Sequence, residues 1–325
     1  MTLAQILAVA ALVAAIALLA LAVALWRDPY RLVRGEYARQ RIALGFRRRE
    51  AIIDGERWVW VERAARRADA PTIVLLHGYT GGKENWYRLA SRLAGQYRLV
   101  APDLPGWGES ARADDADYGY AAEAARVAAF LRHLGCAPVT LLGHSMGGGV
   151  AAVVAARHPE LVARVGLLNA SGVEFADNAF GRDVLDGHNP FGVQDAASLE
   201  SYLAILFHER ASRPWIPWPA AHAVIAHRRR EGDFEQAVLD RIGRGDERFL
   251  PGEEAARIRQ PALLVWGAQD RVIDPSAMDP YAARIPHARK LLLPGSGHMT
   301  LMEFPDAVAD AVRFLVEDGN RGTPA

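Results

Sequence analysis

The sequence predicts a mostly parallel, doubly wound α/β sheet that carries a helical insertion and is preceded by one N-terminal apolar helix. Three observations lead there. Short apolar runs at 72–76, 98–101, 139–142, 165–169, 262–266 and 290–293 alternate with stretches long enough for helices, the pattern of a parallel sheet covered on both faces. That alternation lapses between 171 and 260, where aromatic and proline-containing segments intervene. Finally, between Leu3 and Trp26 the only polar side chain is Gln5.

The N-terminal run is long enough to cross a bilayer as a helix and lacks the basic leader of a secretory signal, so it is expected to be an uncleaved transmembrane anchor over 1–26. Arg27, Arg31, Arg34, Arg39 and Arg41 crowd its carboxyl side, which predicts a single-pass protein with its main domain on the cytoplasmic face; export to a periplasm is the alternative. Residues 27–50 are expected to form a basic segment beside the membrane, with Trp26, Tyr30 and Tyr37 spaced near the interface. A solvated linker helix is the plainer account of the same residues. Ile52–Ile53 and 58–62 open the core as a hairpin, a helix is expected over 120–134, and 51–170 forms the first part of the core. The insertion, 171–260, is expected to lie over the carboxyl edge of the sheet as a cap, with helical stretches at 199–208 and 219–230. Phe175, Phe180, Phe191, Tyr202, Phe207, Trp215 and Trp218 are its candidates for lining an acyl channel or forming its own small core. The core resumes over 261–318, and 319–325 reads as a tail.

The chemistry is concentrated at strand ends. Gly143-His144-Ser145-Met146-Gly147 follows an apolar strand and opens a helix of small residues, which presents the Ser145 hydroxyl on a strained turn. A serine hydroxyl needs a positioned imidazole as base, and the imidazole needs a carboxylate to fix its tautomer. Asp270 stands just beyond the run ending at Trp266, and His298 in the small-residue loop after 290–293. Taken singly, Asp270 would pass for a turn former and His298 for a loop histidine. In the order Ser145, Asp270, His298 at three successive strand ends, they read as a catalytic triad. The loop His77-Gly78-Tyr79-Thr80-Gly81-Gly82 follows the run 72–76, so the backbone N–H groups of Tyr79 and Met146 are the expected oxyanion donors. The G-x-G within 102–110 lacks the rest of a dinucleotide fingerprint and is expected to border the pocket instead.

These motifs, with Lys83-Glu84-Asn85-Trp86, Asp103-Leu104-Pro105-Gly106-Trp107-Gly108-Glu109-Ser110, Trp266-Gly267-Ala268-Gln269-Asp270 and Gly297-His298, resemble the α/β-hydrolase superfamily over roughly 45–317. Within it, the chain is similar to membrane-anchored monoacylglycerol lipases and to the bacterial lipases called family V. The hydrophobic N-terminus, the Lys83 segment and Asn189-Pro190-Phe191 carry that closer likeness. The resemblance implies hydrolysis of acylglycerols or similar carboxylic esters, with Ser145 as nucleophile, Asp270 as orienting acid and His298 as base. Trp215-Ile216-Pro217-Trp218-Pro219 departs from the pattern and leaves substrate size open. A carbon–carbon bond hydrolase, an acyltransferase or a serine-type haloperoxidase of the same fold shares all these parts, and a non-catalytic membrane-tethered binding protein is the alternative of another class.

Composition narrows the partners. With 325 residues, 51% of them hydrophobic, the chain can bury one large core. Its formal net charge of zero gives no footprint for nucleic acid. Cys136 is the only cysteine and has no internal partner for a disulfide. His222 and His227 are not spaced with acids as a zinc motif would be, so no metal is expected, and acyl transfer through serine needs no cofactor. A lipid or other small ester substrate and a membrane are the expected partners.

Overall fold

A computed structural model describes residues 1–318; the expected tail at 319–325 lies outside the described residues. Two N-terminal helices, α1 (Leu3–Arg27) and α2 (Arg31–Ala43), precede an antiparallel hairpin of β1 (Arg47–Ile53) and β2 (Glu56–Arg63). The expected basic segment 27–50 therefore comprises α2 and the start of β1, because Arg47–Glu50 extend the hairpin along Val59–Glu62. The central strands are β3 (Thr72–Leu76), β4 (Arg98–Asp103), β5 (Val139–His144), β6 (Val162–Leu168), β7 (Ala262–Gly267) and β8 (Arg289–Leu293). Their order is β1-β2-β4-β3-β5-β6-β7-β8, parallel from β4 onward and antiparallel at the β1–β2–β4 edge.

Every residue of β3, β5 and β7 is buried, which is why these strands read as unbroken apolar runs rather than as alternating ones. Helices α3 (Tyr87–Leu93), α4 (Tyr120–Leu134) and α5 (Met146–Arg157) follow β3, β4 and β5. Ten of the twelve residues of α5 are buried, so a helix with almost no polar face is held between the sheet and α4. Cys136 lies half-buried just past α4 as a free thiol.

The insertion between β6 and β7 contains α6 (Ala179–Leu185), α7 (Ala196–Leu206), α8 (Ala220–Gly243) and α9 (Leu250–Ala255). Helix α8 runs on to Gly243, well beyond the stretch predicted from sequence, since Val238, Leu239 and Ile242 bury an apolar face below the charged middle of the helix. After β7 come α10 (Met278–Arg284), α11 (Thr300–Glu303) and α12 (Pro305–Asp318), the last packing on α3. By contrast α1 buries none of its apolar window against the rest of the chain. Helix α2 does pack, against α8, and the Tyr30 ring stacks on His227 with centroids 4.2 Å apart.

Candidate active site

Ser145 stands between β5 and α5 with φ 55° and ψ −121°, a region that costs a residue with a Cβ of the order of 1–3 kcal/mol. Neighbouring bonds hold it there. Its N–H donates to the Leu168 carbonyl at 2.9 Å, while its own carbonyl accepts from the Gly148 and Ser171 amides at 2.9 and 3.2 Å. The flanking glycines explain how a strand and a helix approach so closely. A Cβ on Gly143 would strike the Gly147 carbonyl, and one on Gly147 would strike the carbonyls of Leu76 and His77.

Asp270 and His298 meet beyond β7 and β8, with Nδ1 of His298 2.9 Å from Oδ2 of Asp270 and both residues buried. The amides of Val272 and Ile273 donate to Oδ1 of Asp270 at 2.8 and 3.1 Å, and the Asn169 side-chain amide donates to Oδ2 at 2.7 Å. The Asp270 carboxylate thus accepts from three amides, which assigns the proton to Nδ1 of His298 and leaves Nε2 with its lone pair. Asn169 is itself fixed by Thr300, whose hydroxyl donates to Oδ1 at 2.7 Å.

The His298 backbone is gripped from two sides. Its N–H donates to the Leu206 carbonyl at the end of α7, and its carbonyl accepts from Nε2 of His144 at 2.8 Å. Complete burial pushes the His144 pKa well below its ordinary value, so this imidazole is a neutral strut.

The loop after β3 is held in the same manner. The Leu104 amide donates to Nε2 of His77 at 2.9 Å, so Nδ1 carries the proton and donates to the Gly78 carbonyl at 2.8 Å. Burial lowers the His77 pKa against the pull of Asp103, consistent with a neutral ring. Behind the loop, the buried Lys83 ammonium meets Asp103 at 2.7 Å and Glu84 and Glu109 at 3.0 Å each. Desolvation and the Asp103 charge raise Glu84 to about 7, although Lys83 opposes them. Among the described residues the amides of Tyr79 and Met146 donate to no carbonyl or side chain, and Met146 is the first residue of α5, where N–H groups point outward.

A cavity of about 250 Å³ opens beside Ser145 and is also lined by Tyr79 and Met146. Phe175, Phe180, Val184 and Phe191 wall it from the insertion, joined by Leu239, Ile242 and Ile273. Tyr79 contributes its ring, while its hydroxyl donates to the Glu235 carbonyl at 2.7 Å and accepts from the Asn189 side chain at 3.0 Å. Of the seven aromatic candidates, Tyr202 and Phe207 pack in the core outside this lining, and Trp215 and Trp218 are exposed. The expected border loop buttresses from behind, its Trp107 ring lying edge-on to Tyr79 at 5.4 Å. Among the described residues, no three His, Cys, Asp or Glu side chains converge as a metal site requires, and His227 is occupied with Tyr30.

The sequence pattern of the Alpha/beta hydrolase family matches residues 73–311, from β3 into α12. The chain belongs to this family. Among α/β hydrolases it is 30% identical over 280 residues to Lipase 1 of Psychrobacter immobilis, covering 82% of this chain and 83% of that one. To monoacylglycerol lipase ABHD6 of Mus musculus it is 26% identical over 298 residues, covering 89% and 87%. A solved structure of a membrane phospholipase A, described as a bacterial virulence factor, superposes with a TM-score of 0.84 at 28% identity over 96% of this chain and 99% of that one.

Asn169, Thr300 and His144 were not singled out by sequence reasoning. Asn169 carried a usable signal, a polar residue ending a buried strand at the same sheet edge as Ser145 and Asp270. Thr300 and His144 carried none, because their roles depend on contacts spanning 131 and 154 positions.

Proposed function

We propose that this α/β hydrolase is a membrane-anchored serine hydrolase that cleaves carboxylic esters of lipids, of monoacylglycerol size, through an acyl-enzyme on Ser145. The observation that carries the reading is a strained, nearly buried serine lining a mostly apolar cavity, at the same sheet edge as a buried His298–Asp270 pair. Nε2 of His298 takes the Ser145 proton as Oγ attacks the ester carbonyl, and Asp270 holds the imidazole and stabilises the imidazolium that forms. The developing oxyanion accepts from the amides of Tyr79 and Met146, the latter favoured by the positive end of α5. His298 then protonates the leaving alcohol, and water removes the acyl group by the same route in reverse.

The walls support this substrate class. Aromatic and aliphatic side chains suit an acyl chain, and the likeness to Lipase 1 and to monoacylglycerol lipase ABHD6 points the same way. In this reading 1–26 is the membrane anchor, the basic segment beside it runs from 27 to Phe46, β1 of the core begins at Arg47, 171–260 is the cap, and 51–170 with 261–318 complete the catalytic core. The arginines that follow α1 favour the cytoplasmic face.

The test is hydrolysis by the full chain in detergent of a panel from short nitrophenyl esters through monoacylglycerols to triacylglycerols. Preference for monoacylglycerol is expected. Turnover confined to short esters would reduce the reading to a general esterase, and no ester turnover would move it to carbon–carbon cleavage or acyl transfer.

A further inference from the structure

Trp215 and Trp218 are 86% and 83% exposed, in a loop that no step of the proposed mechanism uses. Two neighbouring indoles left in water need an account, because an exposed cluster of large apolar side chains marks a contact surface. The loop is built to hold them outward. Ile216, between them, packs against the core, while Pro217 and Pro219 restrict the backbone on either side of Trp218.

The position of this loop follows from helix α8, which starts at Ala220 directly after it. At His227 the helix touches Tyr30, three residues past the last residue of α1. From His227 toward its C-terminus α8 runs to the cavity, where Phe234 packs on Trp107 and the Glu235 carbonyl accepts from Tyr79. Toward its N-terminus it therefore runs away from the cavity and past the foot of α1. At about 1.5 Å per residue, the start of α8 at Ala220 lies about 10 Å from His227 along this axis, with Trp218 two residues beyond it. Trp26, at the end of α1, is likewise 82% exposed. Tryptophan is the side chain that settles at a membrane–water interface, with an apolar body and one N–H for the wet side.

We propose that Trp215 and Trp218 form a second membrane contact, seated in the interfacial layer of the bilayer beside the foot of α1. This rests on the reading of α1 as a membrane span and adds to it a fixed orientation of the cap over the lipid surface. The α2–α8 contact makes the two attachment points one unit, and exposed Arg27, Arg31, Arg229 and Arg230 supply positive charge around them for an anionic leaflet.

The experiment uses the full chain in vesicles of phosphatidylcholine and phosphatidylglycerol. On a Cys136→Ser background, Trp215→Cys, Trp218→Cys and, as the anchor control, Ala14→Cys each receive an environment-sensitive thiol-reactive fluorophore. Doxyl-labelled lipids then quench by depth. The expected result is blue-shifted emission at positions 215 and 218, quenched most by doxyl groups near the headgroups, with position 14 quenched most by groups deep in the chains. Water-like, unquenched emission at 215 and 218 beside a quenched position 14 would overturn the proposal and leave the anchor standing; a second copy or another protein would then be what covers the indoles. Quenching at 215 and 218 without quenching at 14 would remove the anchor, and with it the proposal of a second contact beside α1. Loss at all three sites would remove both.

Discussion

The floor and the roof of the cavity are made of opposite materials. The floor lies at the carboxyl edge of the sheet, where Ser145 stands on its strained turn and the buried Asp270–His298 pair is held in a polar network by Asn169, Thr300 and His144. The roof is the insertion, which offers Phe175, Phe180, Val184 and Phe191 and is joined by ring contacts, with Phe180 and Phe191 tilted at 4.7 Å and Phe191 stacked on Tyr79 at 5.8 Å. Hydrogen bonds are directional and fix atoms to fractions of an ångström, whereas apolar contacts fix shape and volume. On the proposed function, substitutions in the floor should therefore change rate and substitutions in the roof should change selectivity.

Floor substitutions should accordingly cost turnover with every ester. Ser145→Ala is expected to lower kcat by about four to six orders of magnitude while thermal unfolding stays close to the parent, as checked by ester turnover and calorimetry. Asp270→Asn should cost about 10⁴ through the wrong histidine tautomer, and an unimpaired variant would point to another acid. Thr300→Val keeps the shape but strands the Asn169 carbonyl oxygen. About tenfold lower kcat with unchanged KM is expected, and a change in KM alone would mean that Thr300 shapes the pocket instead.

Roof substitutions should divide substrates by length. Phe180→Ala should reduce kcat/KM about tenfold for long-chain esters and leave acetyl esters within about twofold, since truncating one apolar wall is worth roughly 1–3 kcal/mol. Equal losses on both would break the division between floor and roof.

The smallest effect on activity belongs to Glu123, remote from both walls on α4. Burial raises its pKa from near 4.5 to about 8 despite the Arg126 guanidinium, and its Oε2 has no hydrogen-bond partner. The folded state thus keeps a proton that the unfolded chain releases above pH 4.5, so this residue lowers stability progressively as pH rises from about 4.5 to 8. Glu123→Gln should melt like the parent near pH 4.5 and a few degrees higher near pH 8, with turnover unchanged. An identical pH dependence in the two proteins would remove Glu123 as the cause.

The same division separates what was legible in the sequence from what was not. The strands and the Ser145 turn are local features, since an apolar run and two glycines at fixed spacing dictate them wherever they occur. The insertion follows tertiary packing instead. Helix α8 extends far past its predicted end because buried Val238, Leu239 and Ile242 sustain it through a charged stretch. Arg47–Glu50 read as basic linker yet form β1, where pairing with β2 outweighs charge. Trp215 and Trp218 are candidates for the channel by composition alone, and only their exposure in the folded chain takes them out of it.

Every floor prediction depends on Ser145 being an activated nucleophile. Reaction of the full chain in detergent with a fluorophosphonate probe, followed by mass-spectrometric mapping of the adduct, tests it most directly. A single adduct is expected on the peptide containing Ser145, formed much more slowly in Asp270→Asn. No adduct, or an adduct on another serine with Ser145 unmodified, would contradict it.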